Sequence, residues 1–124
     1  MSDHLQKGKH GEQLAREYLE QQGYSILESN WRYKKLEIDL IATDKDLLVA
    51  VEVKTRSSDA FGEPEIFVTR SKQNKLIRAI NRYVKQKGCD REIRFDVVSV
   101  IESNGSCTVK LIRDAFYPKV AGSK

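Results

Sequence analysis

The stretch Leu36-Glu-Ile-Asp-Leu-Ile-Ala-Thr-Asp-Lys-Asp-Leu-Leu-Val-Ala-Val-Glu-Val-Lys-Thr55 decides the reading of this chain. Its two apolar runs, residues 36–43 and 47–55, read as strands, being strand-length and rich in β-branched residues. Asp44-Lys45-Asp46 between them is a short polar turn region. With Lys45 and Asp46 as the two loop residues, the hairpin pairs Asp44 with Leu47, Ile41 with Ala50, Asp39 with Glu52 and Glu37 with Lys54. Side chains alternate along a strand and cross-strand partners share a face. This register therefore gathers Glu37, Asp39, Glu52 and Lys54 on one side and sends Ile38, Leu40, Leu47, Val49, Val51 and Val53 to the other. A slip of one residue would move Asp39 to the opposite face.

An acid-x-Lys triplet alone is commonplace, and its context carries the information. Glu52 and Lys54 follow Leu-Leu-Val-Ala-Val, which looks like a buried central strand. Two carboxylates facing each other repel, and taking them out of water costs several kcal/mol unless a cation compensates. Lys54 supplies part of that compensation, so a salt-bridge network at a strand end is one explanation. A divalent-metal site is the other, because Mg²⁺ prefers carboxylate and carbonyl oxygens and retains several waters. Glu12 lies at the margin of the apolar stripe of a first helix, where a helix packed on the sheet would bring it to the same place. The helix dipole by itself also favours an acid there.

Working outward, a first helix spans about Lys9 to Gln22, with Leu14, Ala15, Tyr18 and Leu19 inward and Gly23 closing it. Residues 24–33 read as a strand, and 56–68 as a loop containing Gly62 and Pro64. Leu76, Ile77, Ala79, Ile80, Tyr83 and Val84 recur at helical spacing, with Thr69 or Ser71 to cap the start and Gly88 to end the pattern. Residues 93–101 and 107–112 read as strands joined through Asn104-Gly105, a hairpin turn signal. The order is α-β-β-β-α-β-β: an α/β fold with a mixed central β-sheet flanked by helices. The length of 124 residues suits a single domain, with residues 1–8 and 119–124 as frayed termini.

Charge separates along the chain. Residues 1–68 carry 9 basic and 13 acidic side chains, whereas 69–87 carry seven basic ones and no acid. Lys72, Lys75, Arg78 and Arg82 lie at positions of that second helix suited to phosphate contact, although an ordinary solvated face has the same look. No apolar run approaches the roughly 18–20 residues of a membrane span. The N-terminus lacks an apolar signal core, and Cys89 and Cys107 have no metal-ligand spacing, so reduced thiols in the cytoplasm are expected. His4 and His10 suggest neither a zinc site nor a nucleophile relay.

These residues also form a recognisable set. From Gly11-Glu12 through Glu37-Ile-Asp39, Val51-Glu-Val-Lys-Thr-Arg56, Phe61-Gly62 and Arg94-Phe-Asp-Val-Val98 to Asp114-Ala-Phe116, the chain resembles the small bacterial YraN-like family. That family is related to Holliday junction resolvases within the PD-(D/E)xK nuclease superfamily. The resemblance implies a restriction-endonuclease-like core and a Mg²⁺- or Mn²⁺-dependent endonuclease hydrolysing DNA, with branched DNA and a homodimer among its expectations. It implies that Asp39 and Glu52 ligate metal, that Glu12 is an additional helix-borne acid, and that the Val53 carbonyl is a further ligand. Lys54 corresponds to the lysine that positions water and stabilises phosphate charge, and Glu37 supports the site. Gln73 is a looser match to a polar residue near the active site, and Arg56 joins the expected nucleic-acid contacts. The family usually has Gly where this chain has Leu36, which bears on substrate fit. Two other functions remain open on the sequence: a nucleic-acid-binding module of the same fold without turnover, and a protein-interaction scaffold.

Overall fold

Tight two-residue turns at Lys34-Lys35, Lys45-Asp46 and Asn104-Gly105 set most of the topology. Lys34, Lys45 and Asn104 all have φ between +51° and +56°, the left-handed backbone that matches a hairpin turn to the twist of its strands. The structure, a computed structural model, describes residues 3–57 and 68–118. Its elements are α1 (Asp3–Gln21), β1 (Ser25–Tyr33), β2 (Leu36–Asp44), β3 (Leu47–Ser57), α2 (Arg70–Lys87), β4 (Ile93–Ser103) and β5 (Ser106–Phe116), in the expected order. They form a five-stranded mixed sheet, β1-β2-β3-β4-β5, antiparallel except where α2 carries the chain from β3 to a parallel β4.

Most differences from the sequence reading lie at element ends. Helix α1 starts at Asp3 instead of near Lys9, so residues 3–8, expected to fray, continue the helix. That segment has one apolar residue in the sequence, Leu5, and so shows no periodicity. Strands β3, β4 and β5 run on to Ser57, Ser103 and Phe116. Of the expected 56–68 loop, Arg56 and Ser57 extend β3 and Val68 is buried in the core; residues 58–67, like 119–124, lie outside the described residues. No described helix is long and apolar enough to cross a membrane.

The helices take opposite faces of the sheet. Ala15 and Leu19 of α1 pack with Leu40, Ala42, Val49, Val51, Val98 and Val100. Leu76, Ala79, Ile80 and Tyr83 of α2 pack with Ile41, Leu48, Ala50, Phe95 and Val97. Thr69 caps α2, its hydroxyl accepting from the Lys72 N–H, and Gly88 ends it at a φ of 66°.

One inferred position is overturned. Ile38, expected beside Leu40, packs with Ile41 on the α2 face. Ile38 and Leu40, two residues apart, thus lie on opposite faces, so strict alternation fails between them. On β1 a register shift falls between Ile26 and Glu28, and Asn30 has a φ of 53°. The paired residues of β2 and β3 keep the inferred register from Asp44↔Leu47 to Leu40↔Val51 and end there. The pairs expected beyond, Asp39 with Glu52 and Glu37 with Lys54, do not continue the ladder. In place of a backbone partner, the Val53 N–H donates to Asp39 Oδ2 at 2.8 Å.

Candidate functional site

Where the β2–β3 ladder stops, Asp39 and Glu52 line a cavity of about 530 Å³ together with Glu37 and Val53 from the sheet and Ser71 and Lys72 from the start of α2. Glu52 is only 5% exposed. Burial, followed by the charge of Glu52, pushes the Asp39 carboxyl up to about 7 against the opposing Val53 N–H; Glu12 and Glu37 raise it further. Four carboxylates are thus felt at one point, which accounts for the demand for positive charge. Lys72 meets part of that demand: its Nζ lies 2.7 Å from Glu52 Oε2, and this contact holds the ammonium above its usual range.

Glu12 is brought near by a close approach of backbone. Gly11 is buried, and a Cβ there would collide with Thr55 Oγ1, so glycine lets α1 lie directly on β3. Glu37 is half-exposed and pairs with Arg32 at 3.5 Å. Lys54 and Arg56 stand two and four residues beyond Glu52 on β3, in register with Ser99 and Ile101. The Ser99 hydroxyl is buried without a hydrogen-bond partner among the described residues. Lys54 is not among the described residues that line the cavity. The Gln73 side-chain amide donates to the Val68 carbonyl at 2.8 Å and so fastens the entry to α2.

Lys72, Lys75, Arg78 and Arg82 are exposed along α2. The β1–β2 turn adds cations that the sequence reading missed. Lys35 lines the carboxylate cavity beside Lys75, and the Arg82 guanidinium lies 4.3 Å from the centre of the Tyr33 ring. A Lys-Lys pair at a hairpin tip was the available signal, but it was counted within an acidic half of the chain.

A second buried carboxylate gives a contrast. Asp96, 1% exposed, accepts from the Tyr24 hydroxyl at 2.6 Å, from Arg94 Nε and Nη2 at 2.9 Å, and from the Asp114 N–H at 3.0 Å. Arg94 Nη2 also reaches Asp44 at 2.8 Å, and Phe95 stacks on Phe116 at 4.8 Å. The Arg94–Val98 and Asp114–Phe116 motifs therefore fasten β4 to β5, and Asp96 has its cation in the chain itself. Among the described residues the Asp39 cluster has no comparable set of donors.

Comparison with known proteins bears on the same residues. The model of the family described as "Uncharacterised protein family UPF0102" matches residues 11–100. The chain belongs to the UPF0102 family. A UPF0102 protein of Flavobacterium psychrophilum is 47% identical over 117 residues, covering 94% of this chain and 98% of the relative. One from Christiangramia forsetii is 44% identical with the same coverage. One from Bacteroides thetaiotaomicron is 42% identical over 118 residues, covering 95% and 98%. The stretch matched to the UPF0102 model contains Gly11, Glu12, Asp39, Glu52 and the whole of α2, and ends before β5.

The donor set of this UPF0102 protein fits a hard divalent ion. Mg²⁺ is commonly held by one or two carboxylates with the remaining positions filled by water, and Asp39 and Glu52 offer two in one cavity. Among the described residues no three acidic, His or Cys side chains converge tightly enough to form a ready-made centre. Glu12 therefore stands as a contributor of charge to that pair.

Proposed function

We propose that this chain is a divalent-metal-dependent nuclease that hydrolyses phosphodiester bonds of DNA, as the resemblance to resolvase-like members of the PD-(D/E)xK superfamily implies. The observation that carries the reading is the half-buried Asp39 carboxyl, lining one cavity with Glu52 and Glu37, subject to the charge of Glu12 as well, and faced by the basic start of α2. A structural ion pair would be completed as Asp96 is; among the described residues Asp39 accepts only the Val53 N–H, and Lys72, which feels its charge, is paired with Glu52. Asp39 and Glu52 would hold Mg²⁺ or Mn²⁺, with the Val53 carbonyl as a further donor and Glu12 adding negative charge nearby. The ion would supply Lewis-acid charge and acidify water at neutral pH.

The remaining work falls to side chains. The Val53 N–H fixes the orientation of Asp39. Lys54 orients the attacking water and stabilises charge developing on the phosphate. Lys72, which pairs with Glu52 at 2.7 Å, would be available to a phosphate oxygen wherever a divalent ion compensated Glu52, and Lys75, Arg78 and Arg82 would hold the strand. No covalent enzyme intermediate is required by this set of residues.

Purified protein with Mg²⁺ or Mn²⁺ should nick DNA, and Asp39→Ala or Lys54→Ala should each abolish nicking. Cleavage that survives both substitutions belongs to a contaminant and removes the assignment. One observation favours the second reading, a nucleic-acid-binding module without turnover: Glu52 is paired within the chain by Lys72 at 2.7 Å. In that case Mn²⁺ would bind no more tightly to the native chain than to Asp39→Ala in calorimetric titration, and no DNA form would be cut.

A further inference from the structure

Beside the carboxylate cavity lies a second one of about 590 Å³, lined by Tyr33, Lys34, Lys35, Leu36, Lys75 and Arg78. Lys35 and Lys75 belong to the walls of both cavities, so the two are neighbours along one path. The second contains four cations and no acid, and its other two lining residues, Leu36 and Tyr33, are apolar or aromatic. Its volume falls in the range of pockets that enclose a small organic ligand, roughly 300–1,000 Å³. Arg82, 4.3 Å from the Tyr33 ring centre, and Lys34 at 5.5 Å hold that ring in place.

Cations beside an apolar surface match the two halves of a nucleotide. Phosphates meet Lys34, Lys35, Lys75 and Arg78, while a base removed from water lies against Leu36, with the Tyr33 ring and the Arg82 guanidinium over it as the adjoining wall. A base inside a continuous duplex is unavailable to such a pocket; it must be unpaired to enter. We propose that the second cavity is a nucleotide subsite that takes one unpaired nucleotide of a strand whose neighbouring phosphate lies over Asp39 and Glu52. The substrate class is then nucleic acid with a single-stranded segment. This rests on the nuclease reading for the role of the first cavity, but it is tested by binding alone.

Fluorescence anisotropy in the presence of EDTA compares labelled oligo(dT), oligo(rU) and a blunt duplex of the same length. Single strand should bind about 10-fold tighter than duplex, the scale of one stacked base. Leu36→Glu, which puts an acid into the subsite, should bring the single-strand-to-duplex ratio close to one. Lys34→Asn serves as a second variant at a turn position whose φ of 56° suits Asn, and should lower the ratio about 3-fold. Preference for oligo(dT), for oligo(rU) or for both equally supports the subsite and names the sugar it accepts. A ratio of one in the native chain, or a ratio unmoved by both substitutions, overturns it. Cutting of duplex by a chain with no single-strand preference would remove the subsite and leave the nuclease reading intact. Single-strand preference in a chain that cuts nothing would do the reverse.

Discussion

An Asp39 carboxyl that keeps its proton up to about pH 7, against an ordinary value of 3.8, makes folding stability depend on pH in a definite direction. Between those values the folded chain binds a proton that the unfolded chain has released. The contribution of this group is therefore full below about pH 4 and is lost as pH rises towards 7. Asp39→Asn keeps an oxygen for the Val53 N–H and removes the charge. It should leave stability near pH 4 unchanged and raise it at pH 8 by roughly 1–3 kcal/mol, read from urea midpoints. Mg²⁺ should stabilise the native chain at pH 8 and not the variant. Equal stability of the two proteins at both pH values would show that Asp39 ionises freely. Asp39 and Glu52 were legible in the sequence because acids inside a run of Leu, Val and Ala are out of place. The grip of Lys72 on Glu52 was not, since it depends on where α2 begins relative to the sheet.

At the scale of elements, α1 matters to the site through one glycine. In an isolated helix Gly→Ala is worth about 1 kcal/mol of stabilisation. At Gly11 the added methyl would run into Thr55 Oγ1 on β3, so the contact reverses the sign. Gly11→Ala should destabilise the protein by about 1–3 kcal/mol and, by lifting α1 off β3, weaken Mn²⁺ binding through the lost charge of Glu12. Thermal melting and calorimetric titration read the two effects separately, and a more stable variant would mean that α1 does not sit so close. The inward faces of both helices, the turns at Lys45-Asp46 and Asn104-Gly105 and the register through Leu40↔Val51 followed from periodicity and turn chemistry. Ile38 did not: it and Leu40, two residues apart, pack on opposite faces just where the pairing of β2 with β3 ends, a break that strict alternation does not contain.

For the whole molecule, a net charge of +4 conceals a division of labour: acids gather where β2 leaves β3, and cations line α2 and the β1–β2 turn beside them. The turn cations were missed because a hairpin tip and a helix distant in sequence become neighbours only in the folded chain. Their number sets how steeply binding falls with salt, since each phosphate neutralised releases condensed counterions and adds about 0.7–0.9 to the log–log slope. The cations are not equivalent in this respect. Arg78 lines the second cavity with no acid in its walls, and Arg82 lies over Tyr33. Lys72 is already engaged by Glu52 at 2.7 Å. With EDTA present, Arg78→Ala and Arg82→Ala should each flatten the slope by about 0.7–0.9, whereas Lys72→Ala should leave it within about 0.3 of the native value. Adding Ca²⁺, which competes for Glu52 as a hard cation, should give Lys72→Ala a slope deficit like that of Arg78→Ala. Equal deficits for all three variants in EDTA would mean that Lys72 faces the phosphates at all times. The acidic cavity and the basic path would then be electrostatically independent, and metal binding would have no bearing on how the strand is held.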